Sequence, residues 1–437
     1  MSVPFKEHPL RHQVIAELHA RTYEPLRAPE RVSHFATVCG EKGSGRNVGH
    51  LLELLRLYGS PVPDPETIGQ QYDARLGDIR LRWERHTEFV TYTFSKRGPF
   101  SHPFSSPLLH ELPRDWLREM PGEIITAVSL ALEPTDLPER GSQELSALFA
   151  ENTVIGSEVV GGAGRAWSDL RIHPDGFSRI LIRDQGLSDN QAGRLAKRLL
   201  ELNDYRAMSL LGLPVAREAN GCLSDAERRL VMVAARMADE DGMGKGVPDA
   251  ELLAELTTLA SEIEAVAART SYRFDASRAY YGVVQQRLDQ LRQRRIEGLQ
   301  TFSEFLDARL APAVATCNAT AKRQEDLAER AARLTSLLRA RVEVRLQEQN
   351  RGLLESMNRR AKLQLRLQET VEGLSVVAIG YYGVGLVAYM LKGLEAHGVA
   401  INSAYGVAVA VPLVVAFAWY GIRRMKERLL RSEDVSD

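Results

Sequence analysis

Gly373–Leu391 reads GLSVVAIGYYGVGLVAYML and Tyr405–Ile422 reads YGVAVAVPLVVAFAWYGI. Neither stretch carries a charged side chain. Each is close to the roughly 20 apolar residues that cross a bilayer core. The linker between them, KGLEAHGVAINSA, is too short to hold a domain. Two adjacent spans joined by a tight turn make a transmembrane hairpin. A buried hairpin in a soluble core is the competing reading, but soluble core helices seldom run this long without a charge.

The flanks orient the hairpin. Arg359, Arg360, Lys362 and Arg366 precede the first span, and Arg423, Arg424, Lys426, Arg428 and Arg431 follow the second. The linker has Lys392 set against Glu395. Basic residues stay inside, so both termini are expected in the cytoplasm and the linker outside. Tyr405, Trp419 and Tyr420 suit the aromatic belt at the headgroups.

Ahead of the first span lies a stalk. Pro312–Val371 holds no further proline and only Gly352. Leu327, Ala331, Leu334, Leu338, Val342 and Leu346 recur at helical spacing, as do Leu353, Met357, Ala361 and Leu365. Proline is favoured in a first turn, so Pro312 is the expected start. About sixty residues at about 1.5 Å each make a rod of about 90 Å. Its apolar stripe needs a partner. Residues 249–310 of the same chain, or copies of it around an axis, are the alternatives.

The chain has 437 residues and a net charge of −1, so no global basic field points to nucleic acid. Cys39, Cys222 and Cys317 form no CxxC pair and fit reduced cytoplasmic thiols. MSVPFKEHPLRHQVIAELHAR has no apolar core and is not read as a signal peptide.

Residues 1–215 read as an α+β domain with a mixed sheet covered by helices. Arg31–Cys39, Ile79–Trp83, Glu88–Phe94, Glu123–Leu132, Val154–Val160, Ala166–Ile172 and Phe177–Arg183 are expected strands. Arg46–Tyr58 is an expected helix. Ser188–Gln191 is a capping box opening another helix, to about Leu213. Residues 216–371 are expected as long antiparallel stalk helices, one running from Asp249 through Gly298 to Leu310 and joined to the stalk near Ala311–Pro312. Residues 372–422 form the hairpin and 423–437 a basic tail.

Few constellations carry chemistry. CGEKGSGRN (Cys39–Asn47) joins a strand to a helix, but GxxxxGK[ST] and GxGxxG are absent. Glu17, His19 and Arg21 form a polar cluster beside His8 and His12, without HExxH. Asp239–Asp241 opposes a helix dipole, but the EF-hand pattern is absent. Tyr272, Phe274, Tyr280 and Tyr281 recur with Arg273 and Arg278, as helix packing or as a single-strand nucleic-acid patch. Gly380, Gly383 and Gly385 share the first span, where small residues either line a pore or let helices approach. Glu372 sits at its cytoplasmic mouth. No catalytic triad, metal site or cofactor motif stands out, so no enzyme and no cofactor is expected.

HPLRHQVIAELHAR, SYRFDASRAYYGVVQQRL, RLAPAVATC and EQNRGLLESMNRRAKLQLRLQETVEGLSVVAI resemble a bacterial family of uncharacterised membrane-anchored proteins. That resemblance implies a bilayer partner and no established activity. The order of cytoplasmic domain, stalk, two spans and basic tail also resembles the CorA magnesium channels, which implies a homo-oligomer passing an ion or small solute through the inner membrane. The Gly-Met-Asn signature of those channels is replaced by Tyr389–Gly393. A membrane-anchored scaffold or sensor, whose cytoplasmic domain binds a partner, is the other expectation.

Overall fold

The computed structural model describes residues 7–12, 14–15, 23–40, 44–105, 107–239, 248–396 and 403–433. It divides into two compact units, Met1–Thr335 and Ser336–Asp437. In chain order the elements are β1 (Glu30–Val38), α1 (Ser44–Leu57), β2 (Gln71–Leu76), β3 (Ile79–Arg85), β4 (Phe89–Arg97), α2 (Arg114–Arg118), β5 (Glu123–Glu133), α3 (Ser142–Leu148), β6 (Ile155–Val159), β7 (Gly164–Ser168) and β8 (Ser178–Asp184). Then come α4 (Asp189–Leu210), α5 (Gly212–Asp239), α6 (Asp249–Gln290), β9 (Arg294–Arg295), α7 (Phe302–Ala396) and α8 (Ser403–Glu433).

Among the described residues the strands form one mixed sheet in the order β2-β3-β4-β1-β5-β8-β7-β6-β9. Only β5 and β8 pair in parallel. Alternation at period two gives the sheet two faces. On one, Phe35, Leu81, Trp83, Tyr92 and Phe94 meet Leu51, Leu54 and Leu55 of α1 and Trp116 of α2. On the other, Val128, Leu130, Leu132, Ile180 and Ile182 pack against Leu195, Leu199 and Leu202 of α4, with Val284 and Leu288 of α6 behind. Over β1, β3 and β4 that second face turns polar.

The Ser188–Gln191 capping box is present, each partner closing the other's free N–H. The helix it opens stops at Leu210, and α5 restarts at Gly212. A Cβ at Gly212 would lie 2.4 Å from Ser277 Oγ, so only glycine lets α5 approach α6 there.

The expected helix from Asp249 to Leu310 is corrected. It ends at Gln290, and Arg294–Arg295 joins β6 as an edge strand, Glu158 facing Arg294. Gly298 takes φ 80°. Pro312 therefore lies inside α7 rather than at its start. The true start is Thr301, whose hydroxyl accepts from Glu304 N at 3.2 Å while Glu304 Oε2 accepts from Thr301 N at 3.1 Å. This second capping box, and full burial of Phe302, outweigh helix propensity through the turn.

Residues 302–335 of α7 pack antiparallel to α6. As the α6 residue rises through Thr270, Arg278 and Gln285, its α7 partner falls through Gln324, Asn318 and Asp307. In the second unit, α7 and α8 are each long and apolar enough to cross a membrane. Leu353, Leu354, Met357 and Leu365 are exposed there.

The segment at residues 23–27 crosses α4 at Gly193, where Leu26 N donates to Asp189 O at 3.1 Å. A Cβ at Gly193 would lie 2.0 Å from Glu24 O. Gly193→Ala is expected to force this crossing apart and cost on the order of 1–3 kcal/mol. Thermal melting followed by tryptophan fluorescence measures it; an unchanged midpoint would show that the crossing is not held this tightly.

Candidate functional site

The polar half of the sheet and the facing side of α4 enclose a cavity of about 50 Å³. That is room for roughly three or four water-sized bodies. Strand alternation brings His34, Arg82, Glu84, Thr91 and Thr93 into its wall; Lys197, Glu201 and Asp204 come from one side of α4 at helical spacing. Glu24 lines it from the segment crossing Gly193.

At its floor, Asp204 is 2% exposed. Its Oδ2 lies 2.8 Å from His34 Nε2, and its Oδ1 accepts from Thr126 Oγ1 at 2.5 Å. His34 Nδ1 is 2.8 Å from Thr93 Oγ1. Arg206, two residues on along the same helix, donates to Asn203 Oδ1 at 2.6 Å, and burial pulls its pKa down to about 10.

Along the wall, Lys197 donates to Glu84 at 2.6 Å, and Glu201 receives Arg287 at 2.5 Å. Burial pushes the Glu84 carboxyl up, but Lys197 outweighs it and holds the group below its ordinary range. Glu24 and Glu30 go the other way: burial raises both, against the pull of Arg80. Thr91 is 2% exposed, and its Oγ1 has no hydrogen-bond partner.

Thr93, His34 and Asp204 have the connectivity of a hydroxyl–imidazole–carboxylate relay. Thr93, however, is paired with His34 on one side and Arg82 on the other, in mid-sheet. Backbone held in two ladders has few N–H groups left to stabilise an oxyanion. The arrangement positions polar groups around a small space.

The residues singled out from sequence fall elsewhere. Glu17, His19 and Arg21 lie outside the described residues, as do Glu240 and Asp241. His12 Nε2 is 3.1 Å from Glu7. Phe274 is buried beside Cys317 and Ala216, while Arg273 and Tyr280 bind Glu88 at 2.5 and 2.8 Å. Phe274 of that aromatic–basic set is thus spent on packing and Arg273 and Tyr280 on Glu88, while Tyr272 is 49% exposed. A Cβ at Gly380 would meet Val415 at 3.4 Å, and one at Gly383 would meet Val414 at 2.7 Å. Both glycines sit against α8. Gly385 has nothing within 4 Å, and Glu372 is half-buried on α7. Among the described residues, no group of three or more His, Cys, Asp or Glu is placed to hold a metal ion. The cavity residues come from positions as far apart as His34 and Asp204, so no local motif announces them. The available hint was polar residues alternating through hydrophobic strands, as in Thr91 and Thr93.

Removing a buried hydrogen-bonded carboxyl leaves its partners His34 and Thr126 unsatisfied. Asp204→Ala is expected to cost on the order of 1–3 kcal/mol for each partner left unsatisfied, and Thr91→Val to be neutral or mildly stabilising, since it deletes an unpaired hydroxyl. Denaturant unfolding of both variants checks this; equal losses would mean Thr91 is as well bonded as Asp204. Burial pushes the Glu88 carboxyl up, but Arg273 and Tyr280 outweigh it and hold it below its ordinary value. The unfolded chain then binds more protons, so this pair stabilises above about pH 4.5 and is lost as the pH falls below it. Glu88→Gln is expected to flatten the acid limb of the stability profile.

Over residues 6–429 the chain matches the family described as "Protein of unknown function (DUF3422)". No curated protein matches it. Among solved structures, one described as "structure of the full-length CmaX protein" is similar at 13% identity, covering 69% of this chain and 89% of that one, with a TM-score of 0.18. So low a TM-score carries no argument about fold or function. The family pattern spans the chain from before β1 into α8, and the protein belongs to the DUF3422 family of unknown function.

Proposed function

We propose that this protein is a membrane-anchored receptor whose α+β head binds the polar end of a small molecule in the cavity beneath α4. The observation that carries this is a sheet face that turns polar where the fold has no need of it. The same strands fill their other face with Phe35, Trp83, Tyr92 and Phe94. Burying ions in place of such residues costs several kcal/mol each before pairing. Polar groups kept against that cost cluster at functional sites. Thr91 Oγ1 adds a hydrogen-bonding group with no partner at the wall. The mid-strand setting of Thr93 supports a binder over an enzyme.

The two helices that could cross a membrane support the anchor. Basic residues before the first and after the second support a bacterial inner-membrane setting with both ends in the cytoplasm. Exposed Leu353, Leu354, Met357 and Leu365 support self-association along α7.

One observation favours the second reading, an ion or small-solute channel on a CorA-like plan. Gly385 lies open on a concave face shared with Tyr381, Tyr382, Tyr389, Val411 and Val415. Gly380 and Gly383, packed on α8, favour plain hairpin packing.

Full-length protein in neutral-lipid nanodiscs tests the two. A small polar compound that occupies the cavity is expected to raise the melting temperature in proportion to the logarithm of its excess, and Thr91→Val to weaken that response. The receptor reading is abandoned if no compound shifts the wild type while reconstituted protein passes an ion at a rate that Gly385→Leu abolishes.

A further inference from the structure

The neighbouring face of α4 carries a different chemistry. Arg194 and Arg198 lie one turn apart on it, next to Gln191 of the first turn. The C-terminal end of α6 brings Asp289, Gln290 and Arg292 alongside, and Val160 closes the rim. Together they line an open hollow of about 500 Å³. Arg292 is exposed and holds φ 47°, a backbone turn that swings the chain out of the helix just there.

The charges in this hollow are unmatched. Arg194 donates to Tyr23 Oη at 2.6 Å and stacks over that ring at 4.8 Å. Arg198 donates to Gln290 O at 3.1 Å. Both bonds go to neutral oxygens. Among the described residues neither these two nor Arg292 has a carboxylate in ion-pair range. Glu201 pulls on Arg198 but is itself held by Arg287 at 2.5 Å and by Lys197 at 3.8 Å. Asp289 is the one acid lining the hollow against three guanidinium groups.

We infer that this hollow is a binding site for a phosphate-type anion, held by Arg194, Arg198 and Arg292. Guanidinium forks fit tetrahedral oxyanions, and charge-assisted bonds are the strong ones. Burial first, then Arg194, Arg287 and Arg292, lower the pKa of Arg198, and a bound anion relieves that strain. Arg194 is already braced by Tyr23 and Arg198 by Gln290, so two of the three groups are preorganised. The hollow lies on the neighbouring face of α4 from the cavity and shares none of its lining residues, so either can fail without the other.

A phosphate group comes free in solution or on a lipid, and two arms separate these sources. In the first, pyrophosphate is titrated by calorimetry into full-length protein in phosphatidylcholine nanodiscs. In the second, intrinsic fluorescence compares nanodiscs with and without phosphatidic acid, at matched ionic strength. Binding is expected in one arm, with loss of about 10-fold or more in affinity for Arg194→Gln/Arg198→Gln. Arg292→Gln, which leaves both braced arginines in place, is expected to weaken binding and keeps the test decisive if the double variant misfolds. Arg75→Gln, on the edge strand β2, is expected to bind like wild type. No binding in either arm at millimolar anion, or equal binding by wild type and Arg292→Gln, overturns the assignment.

Discussion

Asp204 is a carboxylate on a helix pressed against a sheet, nearly sealed from water. An ionised group in that position must be met by donors, or the helix cannot dock. His34 from β1 and Thr126 from β5 meet it, and Thr93 from β4 meets His34 in turn. Three neighbouring strands are thereby tied to one point on α4. A slip of one residue in any of them would turn the donor to the far face of the sheet and leave the carboxylate bare.

The same constraint organises what lies around it. With Asp204 anchored, one side of α4 presents Lys197 and Glu201 to Glu84 and Arg287, and Gly193 receives the chain crossing at Glu24. The adjacent face presents Arg194 and Arg198. One helix thus walls both a small polar cavity and an open hollow with excess positive charge. The opposite face of the sheet contributes to neither, because its aromatic side chains fill against α1 and α2.

In the second unit, glycine serves contact. Gly380 and Gly383 let α8 come close, with Val415 and Val414 against them. Gly406 does the same for Leu391, whose Cδ1 would be 2.8 Å from a Cβ there. Small residues on both helices let two apolar segments pack by van der Waals contact alone, which is what a pair of spans needs where lipid removes the hydrophobic drive.

Short-range physics was legible in the chain. Period-two alternation marked β3 and β4, the Ser188–Gln191 box marked the start of α4, and two uncharged apolar runs marked the helices able to cross a membrane. The Thr301–Glu304 box was equally legible, yet proline at 312 drew the helix start away from it. The sites were not legible, because their parts are distant in sequence and each is ordinary alone. His34 on a strand and Asp204 on a helix are unremarkable until docking excludes water from both, and Arg194 and Arg292 share a field only once α6 ends beside α4. Sequence by itself determined most of the elements, since propensity, capping and periodicity act within a few residues; tertiary structure decided the break between Gln290 and Phe302 and the sites, since burial, desolvation and charge depend on what lies across the gap.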